Sequence, residues 1–221
     1  MNAFDTLIQQ VCPTVMVPRH EPLALMENDG HRFLMGSDAF YVEVRRPWLH
    51  AIIRLSDTPV ALPYGQPPLI FNLLIDRHAL VGGLRHFIEQ ARAVAPLEHA
   101  AWLMFNPATK GLDYTEPVIL SRSNGHIRYE RPEASATSLP AIDAHSHGTF
   151  KAFFSQTDQK DDLNDDAKLA FVVGSLDQPY PSIAMRLVGL GFSLDISEFA
   201  ASLLYDEGIT CNRNEEALDH A

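Results

Sequence analysis

The spacing of hydrophobic positions changes several times along the chain, and each change marks an element. Leu80, Leu84, Phe87, Ile88, Ala91 and Ala95 recur at three- and four-residue intervals. That is the signature of an amphipathic helix, with Asp76 as its N-cap and Pro96 as its stop. An unbroken apolar run follows at 100–105 and reads as a buried strand. Residues 40–44 alternate, and 48–55, 69–75, 140–144, 169–173 and 183–188 are short apolar segments that read as strands. Residues 23–26 and 31–35 flank Asn28-Asp29-Gly30 like a hairpin. Residues 118–121 and 126–129 flank Asn124-Gly125, a type I′ hairpin signal. Short helices are expected at 2–11 and, capped by Ser197, at 198–205.

Strands interleaved with helices predict an α/β fold. Pro59, Pro63, Pro67 and Pro68 cluster around Gly65 and read as a linker. The predicted division is a small β-rich N-terminal region, 1–65, and a larger domain, 66–221, whose first strand is 69–75. The tail from Asn212 is polar and expected to fray.

Composition narrows the function. The 221 residues are 46% hydrophobic, enough for a proper core, and the formal charge is −11. So acidic a chain is not built for direct nucleic-acid binding. No apolar run reaches the length of a membrane span, and the N-terminus lacks the basic and apolar regions of a signal peptide. Cys12 and Cys211 have neither metal-site nor redox spacing. A reducing, cytoplasmic setting is expected.

The chemistry concentrates in His145-Ser146-His147, followed by Ser155 and Asp158. Residues i and i+2 of a strand share a face, so His145 and His147 project together. Ser155 and Asp158, three apart, share a face of a helical turn. Two imidazoles and a carboxylate make three ligands, leaving one tetrahedral position for water, as in a catalytic zinc site. Zinc brings the pKa of such a water to about 7. Ser155 is suited to donate to an oxyanion. Glu98, where helix hands over to strand, is the candidate proton shuttle; Glu89 and Glu116 are weaker rivals. Asp161 and Asp162 miss the ligand spacing, and the acidic run 161–166 reads as a solvated helix face. His78, His86 and His99 read as ordinary surface or polar contacts.

These residues resemble the JAB/MPN/Mov34 metalloprotease family. Its JAMM motif is a distant Glu followed by H-S/T-H-x7-S-x-x-D, and the chain matches it at every specified position. The resemblance covers roughly residues 69–190. It implies a cytidine-deaminase-like α/β sandwich, Zn2+ on His145, His147 and Asp158, Glu98 as general acid/base and Ser155 as oxyanion stabiliser. It implies hydrolysis of a peptide or isopeptide bond after the C-terminus of a ubiquitin-like or sulfur-carrier protein. Within the family, the chain is most similar to the bacterial PRTRC-system group, whose cassette includes a ThiF-related member, so ThiF/E1-like partners are expected. Two features depart from the pattern. Gly148 replaces the usual proline after the second histidine, which predicts a looser loop. The segment 132–140 is short for the helix many relatives carry there.

Asp143-Ala144-His145-Ser146-His147 also resembles the D-x-H-x-H opening of TIM-barrel amidohydrolases. Only 74 residues follow His147, against about 250 typical of a whole barrel, so that fold is not expected. The remaining rival is a non-catalytic MPN scaffold that mediates assembly.

Overall fold

The computed structural model describes residues 2–163 and 166–205. The chain forms two compact units, dividing after Leu74. No helix among the described residues is long and apolar enough to cross a membrane.

The first unit opens with helix α1 (Ala3–Val11), capped by the Asn2 side chain. Five strands follow in sheet order β1 (Thr14–Met16), β2 (Gly30–Met35), β3 (Ala39–Arg46), β4 (Leu49–Asp57) and β5 (Ile70–Leu73). Only β1–β2 is parallel. Val17, Leu34, Ala39, Tyr41 and Ile52 form a core on one face. On the same face Glu43 is fully buried, and it accepts from Met26 N, Arg32 Nε and His50 Nε2.

Three expectations change here. Residues 23–26 form no strand, and β2 pairs with β3 and β1 instead. The 69–75 strand is not the start of the second domain: β5 hydrogen-bonds along β4, which moves the division from 65 to 74. The proline-rich stretch is no free linker either. Gly65 donates to Val17 O and accepts from Ser37 N, and Leu62 N donates to Ser37 O.

The second unit is built on a six-stranded sheet, ordered β13-β12-β11-β10-β6-β7. These strands are β6 (Ala100–Asn106), β7 (Gly111–Thr115), β10 (Leu139–Ser146), β11 (Lys168–Gly174), β12 (Ser182–Gly189) and β13 (Phe192–Asp195). Only β10–β11 is parallel. A separate hairpin, β8 (Ile119–Arg122) and β9 (Ile127–Tyr129), precedes β10. Its turn is not type I′, because neither Asn124 nor Gly125 has the positive φ that turn needs. Strands β7 and β13 were not expected; both are short edge strands.

Helix α2 (Arg77–Val94) starts at the Asp76 cap, which accepts from Ala79 N, and buries Leu80, Leu84, Phe87, Ile88 and Ala91. Phe87 packs edge-on against Phe171 of β11 and stacks on His99. Helix α4 (Ser197–Tyr205) packs beside α2, where Arg85 donates to Leu204 O. Ser197 does not cap it. Its hydroxyl is taken by Met185 of β12, and Asp195 accepts from Ser197 N instead. One sheet face is thereby covered by apolar packing, which leaves the other for the polar residues of the same strands.

Phe87→Ala should cost about 3–5 kcal/mol, the range for emptying a buried aromatic site. Chemical denaturation would measure it, and a loss below about 1 kcal/mol would place Phe87 outside the core that fixes α2 to the sheet.

Candidate metal centre

Strand β10 has a partner on each side, so its side chains alternate between two faces. Ile142, Ala144 and Ser146 point toward α2. Asp143 and His145 point the other way, in register with Trp102 and Ala100 of β6 and with Ala170 and Val172 of β11. His147 follows just past the strand end, held by His147 N donating to Val173 O. Ser146, between them, is fully buried, and its hydroxyl accepts from His99 N.

Gly148 makes the next turn, and it is not a flexible hinge. It has a left-handed φ of +54°, and a Cβ there would lie 2.7 Å from Pro96 O. Proline, fixed near φ −65°, cannot occupy this position. The chain then returns through Phe150 and Phe153 to helix α3 (Gln156–Leu163). Residues 132–138 carry no helix, as their length predicted.

Ser155 and Asp158 meet at the start of α3. Ser155 N donates to Asp158 Oδ2 at 2.7 Å, and Asp158 N donates to Ser155 Oγ at 3.2 Å. This reciprocal pair is a capping box with aspartate in the acidic position. It fixes Asp158 in the first turn of the helix.

The three expected ligands converge. One donor atom from each of His145, His147 and Asp158 lies within 4.8 Å of the others. The two Nε2 atoms are 3.3 Å apart. Bonds of about 2.0–2.1 Å at a tetrahedral angle give an edge of about 3.3–3.4 Å, so the imidazoles fit a tetrahedral zinc. His145 Nε2 to Asp158 Oδ2 is wider, 3.9 Å. His147 Nδ1 lies 3.2 Å from Lys151 O, and a bond there leaves Nε2 as the lone-pair nitrogen. Burial, reinforced by His145, lowers the His147 pKa, which keeps the ring in its ligating neutral form.

Glu98 lines the same cavity, about 880 Å³, together with His145, His147, Ser155 and Asp158. It is 5% exposed, and Glu98 N donates to Ser123 O of the hairpin. Burial first, and the charge of Asp158 second, push its pKa up to about 7. The rival glutamates Glu89 and Glu116 are exposed and stand apart from the cavity lining. Of the other histidines, His78 is exposed, His86 packs edge-on against Tyr114, and His99 bonds to the Tyr114 hydroxyl.

The cavity floor holds residues the sequence reading missed. Asp143 accepts from Tyr129 OH at 2.6 Å and from Lys168 Nζ at 2.8 Å. Asp162, expected to be solvated, is buried and bonds to Lys168 at 2.9 Å and Arg186 at 2.5 Å. Two cations protruding from otherwise apolar strands are what draw it in. The signal available in the sequence was the charge itself: Arg186 interrupts an apolar run, and Lys168 opens one. The expected solvation of Asn164 and Asp165 lies outside the described residues, as do the side chain of Asp161, the 212–221 tail and Cys211.

Comparison with known proteins adds two family matches. Residues 81–188 match prokaryotic homologs of the JAB domain. Residues 2–70 match a domain of unknown function, DUF2016. No curated protein matches the chain. Among solved structures, the solution structure of protein DSY2949 from Desulfitobacterium hafniense is 15% identical, with a TM-score of 0.39, over 52% of this chain and 85% of that one.

Glu98 makes the metal-free chain less stable as pH rises. Its folded pKa of about 7 lies above the unfolded value of 4.5. Between these pH values the native state holds the extra proton, so unfolding becomes easier with rising pH until about 7 and the penalty then stays. Glu98→Gln should match wild type near pH 4 and exceed it near pH 8 in thermal midpoint. Parallel stability curves for the two proteins would contradict the shift.

Proposed function

We propose that this chain, which carries a prokaryotic JAB/MPN-family domain over residues 81–188, is a zinc-dependent peptidase or isopeptidase of the JAMM type. The observation that carries the reading is the convergence of His145, His147 and Asp158 on a cavity that also presents Glu98. Family members without activity typically lose ligands, and this chain keeps all of them. The same reading takes the second unit as a cytidine-deaminase-like α/β sandwich, with α2 and α4 on one sheet face and α3 on the other.

His145, His147 and Asp158 would hold the ion, which supplies a Lewis acid and a source of hydroxide at neutral pH. Glu98 takes the proton given up by the attacking water and passes it to the leaving amine. A pKa near the working pH suits a group that must both accept and release. The Ser155 oxygen already accepts from Asp158 N, so its hydroxyl proton is the part it has to offer. It donates to the oxyanion formed as the scissile carbonyl is attacked.

The substrate in this reading is the C-terminal tail of a ubiquitin-like or sulfur-carrier protein, bound extended and paired to a strand edge main chain to main chain. The resemblance to the PRTRC-system group is what supports a ThiF/E1-like activating protein as the partner in this reading.

Purified wild type should contain about one zinc per chain, and His145→Ala/His147→Ala should contain none. Elemental analysis decides this, and a metal-free wild type after zinc supplementation would sink the hydrolase. Glu98→Ala should keep its zinc and lose cleavage of a ubiquitin-like fusion by about 100-fold or more. Zinc bound without any cleavage by wild type would leave the scaffold as the better account.

A further inference from the structure

Helix α3 carries the ligand Asp158, yet its sequence, QTDQKDDL, has a single apolar residue. An isolated helix of eight residues does not hold itself together, and this one has little apolar surface to pack. What fixes it to the sheet is charge. Asp162, one turn beyond Asp158, reaches Lys168 of β11 with Oδ1 and Arg186 of β12 with Oδ2. Arg186 also lays its guanidinium 3.8 Å over the Phe154 ring, directly before the Ser155 cap. One arginine therefore grips both ends of the helix.

The chain of contacts continues to the other ligands. Lys168 bonds to Asp143 of β10, and Asp143 sits two residues before His145 on the same face. Asp143, Asp162, Lys168 and Arg186 are all buried. They link the strand that bears the histidines to the helix that bears the aspartate.

We infer that Lys168, Asp162 and Arg186 are positioning residues for the metal centre: a buried ionic brace that sets the distance from His145 to Asp158 before any ion arrives. The inference rests on the zinc reading above. Its consequence is that metal affinity, and not only stability, depends on residues that never touch the metal. Supporting groups of this kind commonly alter affinity by about 10–100-fold.

The test uses the full chain, with zinc as the probe. Affinity is read by competition with a chromophoric chelator, and ligand geometry by the visible spectrum of the cobalt-substituted protein. Asp162→Asn removes the shared anion. Asp162→Leu/Arg186→Met replaces the pair with apolar groups and leaves Lys168 with Asp143, guarding against misfolding from an unpaired buried charge. The metal-free melting temperature and hydrogen exchange of the α3 amides are measured alongside. The expected result is a folded double variant with near-wild-type melting, faster α3 exchange, an altered cobalt spectrum and zinc binding weakened about 10–100-fold. A folded variant that binds zinc as tightly as wild type overturns the brace and leaves the zinc site standing. A wild type that binds no zinc overturns both.

Discussion

The site depends first on the interior position of β10. With β6 on one side and β11 on the other, its backbone polar groups are satisfied and its side chains have two faces to choose from. Helix α2 closes one face with Leu84, Phe87 and their apolar neighbours. Every polar group the strand carries on the opposite side must find a polar partner or a ligand there. Asp143 finds Tyr129 and Lys168. His145 finds its counterparts in His147 and Asp158.

The connection after β10 shows how little slack this leaves. Gly148 takes a backbone conformation that proline cannot, and it passes close to Pro96, two residues before Glu98. The segment carrying Glu98 and the segment carrying His147 are therefore packed backbone to backbone. Two residues beyond Gly148, at Phe150, Gly174 at the end of β11 allows the loop the same closeness: a Cβ on it would lie 2.1 Å from Phe150 O. The glycine that looked in the sequence like a loosened turn is a point of close approach.

What could be read in the sequence was local. The helix face of α2, the strand at 100–105, the i, i+2 spacing of His145 and His147 and the i, i+3 spacing of Ser155 and Asp158 all depend on periodicity within one element. The structure brings His145 and His147 together, as their spacing implies, and sets Asp158 beside them. What could not be read was pairing across long separations. Nothing in residues 69–75 reveals that β5 belongs to β4 and not to the domain that follows, because an apolar strand looks alike in either sheet. The acidic run misled for the same reason. Asp162 is polar by composition and buried by virtue of Lys168 and Arg186, residues that come near it only through the fold.

That burial is instructive because it is poor economy for stability alone. Taking two cations and two carboxylates out of water costs several kcal/mol per ion, and well-packed apolar residues often serve as well or better. An apolar contact, however, is indifferent to small slides of one element along another, whereas a carboxylate shared between an ammonium and a guanidinium is not. Helix α3 has to present one oxygen of Asp158 beside two imidazole nitrogens already 3.3 Å apart. A helix held by a greasy face could drift by an ångström at little cost; one held at Asp162 by two directed ion pairs and at Phe154 by a stacked arginine cannot. The buried charges make sense as a means of fixing position, and in the reading proposed above the position they fix is that of Asp158 beside the two histidines.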